Sequence, residues 1–205
     1  LLPFQNGGRD GIGMSVGPGS TPSVERAYFT DHLLRGWNLW GGSGGIFRNI
    51  VMDNISGATL GEPTGVWVED SVPLFEDERV DKSDTGIIVF HIDDSGNTRG
   101  FLRDVIITNR MYRGVYLDKQ NHNNYSNYET ADFTNLSVLG TGSAGAKTAS
   151  IAVAAIEVNA TGAWLENVLV EDSSSVGVRL HYVDSSTTLR NLTIKDAGEA
   201  GQGPH

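Results

Sequence analysis

The chain has 205 residues, no cysteine and a formal net charge of −10 at pH 7. Without cysteine there is no disulfide, no zinc–thiolate site and no cysteine nucleophile, and the acidity argues against nucleic acid, whose binding surfaces are normally basic. No run of about 18 apolar residues occurs, so the sequence predicts no membrane span. The length predicts a single domain, residues 1–205.

The first recurring pattern, here named the glycine phrase, is glycine–apolar–any residue–apolar. Its copies begin at Gly11, Gly36, Gly65, Gly86, Gly114 and Gly177, and Ala155 begins a copy without the glycine. Apolar residues that alternate with period two predict a β-strand with one buried face.

A second pattern, the asparagine phrase, alternates with the first and has the form apolar–any–Asn/Asp–apolar–any–apolar. Its clean copies are Phe47–Met52, Leu102–Ile107, Phe133–Val138, Leu165–Val170 and Leu189–Ile194, with a weaker copy at Val24–Phe29. No long segment shows the i, i+3, i+4, i+7 spacing of an amphipathic helix. The chain is therefore predicted to be all-β.

The spacing of the two phrases indicates the architecture. Ten residues separate the third position of the asparagine phrase from the next glycine in three copies, as from Asp104 to Gly114, so the shortest repeat has about 23 residues. Two short strands per repeat exclude helix-containing repeats, and a propeller blade needs about four strands in 40–45 residues. We predict a parallel β-helix, a solenoid of about seven coils.

Together, the two phrases make residues 11–200 resemble the right-handed parallel β-helix repeats of the pectate-lyase-like superfamily. The stacked polar positions resemble that family's asparagine ladder: Asn49, Asp104, Asn135, Asn167 and Asn191. Asparagine suits a sharp bend because it tolerates a left-handed backbone. The resemblance implies an extracellular or cell-surface protein, from a superfamily of lyases, hydrolases, epimerases, phage tailspikes and adhesins.

The final copy bears on the length of the natural chain. Ten residues after Asn191 comes Gly201, where a further glycine strand is expected, and His205 is the last residue. A solenoid that stops within a coil exposes an unpaired edge. We therefore expect further coils, or another subunit, at the C-terminal end.

Within the glycine strands, one set of side chains is predicted to face inward and two columns outward. The inward pairs are Trp37/Leu39, Val66/Val68, Ile87/Val89, Val115/Leu117, Ile156/Val158 and Val178/Leu180. One outward column is Asn38, Trp67, Ile88, Tyr116, Glu157 and Arg179, and the other is Trp40, Glu69, Phe90, Asp118, Asn159 and His181.

This outward face combines aromatic and charged side chains, which suits a polysaccharide partner. Trp40, Trp67, Phe90, Tyr116 and Glu157 are the predicted substrate-binding residues, because sugars stack on aromatic rings and carboxylates bind their hydroxyls. The alternative is that loops or a neighbouring molecule pack over the aromatic residues.

Four segments longer than the minimal coil flank the glycine strands and are predicted to wall this face or to cover it. They are 56–64, 72–84 with the acidic residues Glu76, Asp77, Glu78 and Asp81, 119–130 and 140–154.

The resemblance implies lyase or epimerase chemistry beside a uronic carboxylate. Lys119, Arg179 and His181 are the predicted catalytic base and acid. Asp118 and Asn159, together with Glu157, could supply oxygen ligands to calcium, the possible cofactor.

Two other functions remain open. Hydrolysis needs two carboxylates, for which Asp118 and Glu157 are candidates, but the Asn-Thr-Asp and Gly-His-Gly motifs of polygalacturonase-like relatives are absent. The non-enzymatic alternative is a structural or adhesive β-helix segment of a cell-surface or phage tailspike protein.

Overall fold

A computed structural model describes residues 11–55, 63–91, 100–108, 113–119, 129–141, 154–159, 162–173, 176–183 and 187–197. Within them every regular element is a strand, and no helix there is long and apolar enough to cross a membrane. The strands are β1 Ile12–Val16, β2 Ser23–Thr30, β3 Arg35–Leu39, β4 Gly44–Ile55, β5 Thr64–Glu69, β6 Val72–Ser83, β7 Thr85–His91, β8 Gly100–Thr108, β9 Arg113–Lys119, β10 Glu129–Leu139, β11 Ala154–Asn159, β12 Gly162–Glu171, β13 Val176–His181 and β14 Thr188–Lys195.

Odd and even strands form separate sheets. The first sheet has the order β1-β3-β5-β7-β9-β11-β13, and the second has the order β2-β4-β6-β8-β10-β12-β14. Among the described residues every strand pairing is parallel, and each strand pairs with the strands two before and two after it. The prediction of an all-β chain with parallel strands is confirmed, and the alternation between two sheets is compatible with a β-helix-like solenoid.

The predicted asparagine ladder forms a single bend in the second sheet. Asn135 donates from Nδ2 to Asp104 Oδ1 at 2.8 Å, Asn167 donates to Asn135 at 3.0 Å, and Asn191 donates to Asn167 at 2.8 Å. Seven residues at this bend have positive φ between 50° and 58°: Arg26, Asn49, Asp77, Asp104, Asn135, Asn167 and Asn191. The ladder prediction is confirmed, and Asp77 is an additional member.

A second bend follows the first by five residues. The positive-φ residues there are Asp31, Asn54, Lys82, Gly140, Asp172 and Asp196. Asn54 Nδ2 donates to Asp31 Oδ1, the equivalent residue of the preceding repeat. Because Asp, Asn, Lys and Gly all occupy this position, no single residue type marks it in the sequence.

The glycine of the glycine phrase is required by a close approach between the sheets. A Cβ atom on Gly36 would lie 2.9 Å from Met52 Sδ, and one on Gly177 would lie 2.8 Å from Ile194 Cγ2. Met52 and Ile194 are both the last apolar residue of an asparagine phrase. The two phrases therefore meet at one corner of the repeat, where a side chain larger than hydrogen does not fit beside these glycines, whereas the copy that begins with Ala155 accommodates a buried methyl group.

The first copy of the glycine phrase begins two residues later than predicted. Met14 pairs with Trp37, which sets Gly13, not Gly11, opposite the glycine of the next copy. A Cβ atom on Gly13 would lie 2.8 Å from Phe29 Cδ1, the last apolar residue of the weaker asparagine phrase. Two glycines spaced by two residues both satisfy the pattern, and only the packing distinguishes them.

The core lies between the sheets and is aromatic in its N-terminal part. The rings of Trp37 and Phe47 lie 4.6 Å apart edge to face, and Phe47 stacks on Phe75 at 5.0 Å. Five of the six predicted inward pairs are fully buried. In the sixth, Val178 packs against the core, but Leu180 is 39% exposed, so full burial of that pair was predicted wrongly.

The segment 72–84, interpreted from the sequence as an insertion, is strand β6 of the second sheet. Phe75–Val80 is an asparagine phrase in which Glu78 stands at an apolar position, paired in register with Ile50. The remaining predicted insertions fall largely on 56–62, 120–128 and 142–153, which lie outside the described residues.

Glu78 is 1% exposed, and neither of its carboxyl oxygens has a hydrogen-bond partner among the described residues. Desolvation by burial, together with the charge of Asp77, raises the pKa of Glu78 well above its usual value. The side chain therefore folds into the core in its neutral form.

We predict that leucine truncation has unequal costs at two positions of one inward column. Leu117 and Leu180 both pair with Val158, but Leu117 is fully buried and Leu180 is not. Leu117→Ala should lower the free energy of unfolding by about 2–5 kcal/mol, and Leu180→Ala should cost well under half of that. Equal losses in urea denaturation would show that Leu180 is buried in solution.

We also predict that Glu78 makes stability depend on pH. Because its folded pKa is raised, its contribution is fully present below the unfolded pKa of about 4.3 and is lost as pH rises through the folded value. Glu78→Leu should raise the free energy of unfolding by about 1–3 kcal/mol, more at pH 8 than at pH 5. Glu78→Gln should remove most of the pH dependence. An unchanged pH profile in both variants would contradict the burial of Glu78.

Candidate functional site

The outer face of the first sheet has the predicted register. Trp67 pairs with Asn38 and Ile88, and Glu157 pairs with Tyr116 and Arg179. In the other column, the residues paired in register are Glu69, Phe90, Asp118, Asn159 and His181. Trp40 follows the end of β3 and lies outside the strand.

Much of this face is buried rather than exposed. Ile88 is 1% exposed and Phe90 is 7% exposed, whereas Trp40 is 43% exposed. Trp67 and Tyr116 are intermediate. At Phe90 and Ile88 the alternative that packing covers the outward face therefore applies.

The aromatic residues form one row that ends in a guanidinium on each side. Trp67 and Phe90 meet edge to face at 4.8 Å, and Phe90 meets Tyr116 at 5.6 Å. The Arg35 guanidinium lies 3.8 Å from the Trp67 ring centroid, and that of Arg113 lies 4.3 Å from the Tyr116 ring centroid. Edge-to-face packing and cation–π contacts hold the rings in fixed orientations.

Beyond this row, one carboxylate lies between two arginines. Arg113 Nε donates to Glu157 Oε2 at 2.8 Å, and Arg179 Nη1 lies 3.8 Å from Glu157 Oε1. The three side chains are only 17%, 8% and 16% exposed. At low exposure such an ion pair is screened little by solvent.

Three hydrogen-bonded side chains adjoin this cluster. Tyr116 donates its hydroxyl proton to Asp118 Oδ2 at 2.8 Å, and Asn159 Nδ2 donates to Asp118 Oδ1 at 2.9 Å. Burial and the Asp118 carboxylate raise the pKa of Tyr116. The Tyr116 hydroxyl is thus a protonated donor at neutral pH.

The predicted metal ligands Asp118 and Asn159 are neighbours, but their oxygen and nitrogen atoms bond to one another. In the described part of the chain, no group of three or more His, Cys, Asp or Glu side chains is placed to hold a metal ion. Calcium takes six to eight oxygen ligands, which this pair does not provide. Calcium binding stays a prediction.

The predicted catalytic residues occupy different surroundings. Arg179 contacts Glu157, whereas His181 is exposed, with its ring 6.1 Å from that of Tyr182. Lys119 ends β9 and pairs with His91 through the backbone, and the position of its side chain lies outside what the structure describes. Their catalytic roles stay predictions.

Sequence analysis missed two arginines that complete the site. Arg35 and Arg113 each stand directly before the glycine of a glycine phrase, a position outside the pattern as defined. The same position holds Thr64, Thr85 and Ala154 in other copies, all fully buried. Two arginines at a position that is otherwise uncharged were the signal available in the sequence.

Comparison of the chain with protein-family models, with curated proteins and with solved structures finds no match. The similarity to the pectate-lyase-like superfamily therefore rests on the two phrases and their spacing.

We predict that the two carboxylates that lie between arginine pairs contribute unequally to stability. Glu157→Gln should lower the free energy of unfolding by about 3 kcal/mol, because two poorly solvated guanidiniums would lose their counter-charge. Glu76 is the matched control: it contacts Arg48 at 2.6 Å and Arg103 at 3.6 Å, with 45% and 58% of those side chains exposed.

Glu76→Gln should cost less than about 1 kcal/mol, as exposed ion pairs do. Urea denaturation at low and moderate salt measures both variants. A smaller loss at Glu157 than at Glu76 would contradict the burial of the Arg113–Glu157–Arg179 cluster.

Proposed function

We propose that the chain is a segment of a right-handed parallel β-helix of the pectate-lyase-like kind, and that it binds an extracellular polysaccharide on the outer face of the first sheet. Right-handedness is expected because parallel strands joined by a crossover connect that way in about 98% of cases.

The observation that carries the proposal is the sharing of Glu157 by Arg113 and Arg179. The 3.8 Å contact of Arg179 is longer than a hydrogen bond, and a guanidinium has five N–H donors in a planar fork. Arg179 therefore has donor capacity for a second carboxylate, which a uronate residue of an acidic polysaccharide would supply in bidentate form.

The neighbouring rings favour an elongated ligand. Trp67 and Tyr116 are partly exposed and lie in one column with Glu157 and Arg179. Adjacent strands lie about 4.8 Å apart, so the side chains of one column follow a line across the sheet at that spacing. An extended polymer bound along this line would contact several of them.

Lyase or epimerase chemistry is the finer proposal. It requires a base beside the uronate, and Lys119 or His181 is the candidate, with Arg179 binding the carboxylate. Lys119 follows Asp118 in β9, and Asp118 and His181 both pair with Asn159. Strand pairing therefore brings the backbone of both candidates near the Arg179 cluster.

A non-enzymatic structural or adhesive segment is the second candidate. The burial of Ile88 and Phe90 favours it, because a face covered by packing has less surface for a ligand. In that case Trp67 and Tyr116 act as packing residues.

Affinity electrophoresis in gels that contain acidic or neutral polysaccharides tests the proposal. We expect an acidic polysaccharide to retard the wild-type protein, and Arg179→Ala to weaken that binding at least tenfold. Lys195→Ala, a cation of the second sheet that is 54% exposed, is the matched control and should bind as the wild type does.

The chemical step is tested by the ultraviolet absorbance of unsaturated uronate products. We expect His181→Ala or Lys119→Ala to abolish product formation without a change in melting temperature. Binding without product would reject the lyase, and neither binding nor product across the panel would leave the structural segment as the function.

A further inference from the structure

We propose a second carbohydrate site, in a groove on the outer face of the second sheet, that takes a pyranose ring of a neutral glycan. The groove has a volume of about 290 Å³ and is lined by Phe101, Leu102, Arg103, Asp132, Thr134 and Trp164. It does not depend on the first-sheet site, since all its residues lie on β8, β10 and β12.

The register brings the groove residues onto three neighbouring strands. Phe101 pairs with Asp132, which pairs with Trp164, and Arg103 pairs with Thr134. Leu102 is 1% exposed, and β10 is the middle strand of the three. The groove volume is at the lower end of the range for small-molecule sites, about 300–1,000 Å³, which suits a single sugar ring rather than a larger ligand.

Trp164 provides a rigid wall. Its Nε1 donates to Glu166 Oε2 at 3.3 Å, and the Arg190 guanidinium lies 4.6 Å from its ring centroid. Trp164 lies on β12, between β14, which carries Arg190, and β10 and β8, which carry the five other groove residues. The guanidinium and the groove therefore lie on opposite sides of the indole. The ring is thus held in place before a ligand arrives, which lowers the entropic cost of binding.

The position of the groove coincides with an interruption in a column of charges. Across the second sheet, residues in register alternate in sign and then break at a neutral threonine: Glu25, Arg48, Glu76, Arg103, Thr134, Glu166 and Arg190. At Thr134 the column of ion pairs is interrupted. Among the described residues no ion pair joins β8 to β12, and Arg103 contacts Glu76 on its other side. The gap leaves a hydroxyl and the side of Arg103 facing the groove.

The charges at the groove favour a neutral ligand. Arg103 and Asp132 contribute one positive and one negative charge, so the lining has no net charge to attract an acidic polymer. A carboxylate accepts hydrogen bonds from sugar hydroxyls, a guanidinium donates to them, and Thr134 can do either. Together with the apolar face of Trp164, these groups match a pyranose, which has one C–H face and a rim of hydroxyls.

Titration with neutral gluco-, manno-, galacto- and xylo-oligosaccharides, with an oligogalacturonate as the acidic probe, tests the site by calorimetry. We expect at least one neutral oligosaccharide to bind, and Trp164→Ala to weaken it at least tenfold. Tyr28→Ala removes an exposed aromatic residue of the same sheet outside the groove and should bind as the wild type does.

Thr134→Trp, which fills the groove without removing a packing side chain, should abolish binding even if Trp164→Ala does not fold. Failure of every neutral oligosaccharide to bind, or equal affinity in wild type and Thr134→Trp, would overturn the proposal, as would Trp164-dependent binding of the acidic probe alone. Loss of neutral binding in Trp67→Ala but not in Thr134→Trp would assign the neutral ligand to the first sheet instead.

Discussion

The left-handed residue at the first bend determines the side-chain pattern of the second sheet. In a regular strand, inward positions recur every two residues. The asparagine phrase has its apolar residues at positions one, four and six, because the positive-φ residue at position three turns the chain and resets the alternation. Leu102, Val105 and Ile107 are consequently all buried around Asp104. The bend also brings the last apolar residue of the phrase against the glycine of the first sheet. The contact between the two sheets, the packing of the core and the outward direction of the remaining side chains therefore all depend on this one backbone conformation.

Both outer faces place a glutamate between two arginines, and they differ in how much water reaches it. On the first sheet, Glu157 and its arginines are almost buried, and aromatic rings pack beside them. On the second sheet, Glu76 and its arginines are considerably exposed. The same charge arrangement is therefore a poorly solvated cluster on one face and a cluster with exposed arginines on the other. This contrast is why we propose recognition of a ligand charge on the first face, and binding through Trp164 and balanced polar groups in the groove beside Arg103.

Sequence analysis predicted the elements whose residue type is required by local geometry. Asn135 and Asn167 were identifiable because few side chains tolerate a left-handed bend, and Val66 or Leu117 because their alternation is regular. Glu78 was missed because a carboxyl in an apolar position breaks the pattern that marks a strand, so β6 was interpreted as an insertion. For Phe90 the sequence left exposure and packing as alternatives, since spacing along the chain determines which way a side chain points but not what lies over it. Arg113 stood one residue outside the phrase, although it provides the shortest ion contact of the site.

Because each strand bonds only with its counterparts in the preceding and following repeats, the molecule behaves as a linear array of nearest neighbours. Opening is expected to start at the terminal repeats and to proceed inward, with the central strands exchanging their amide protons last. The close contact between Gly36 and Met52, and its equivalents, adds a rule for how such a chain can change length in evolution. Gain or loss of a complete unit from one corner glycine to the next preserves every corner, whereas a one-residue insertion within a phrase would turn its core side chains toward solvent.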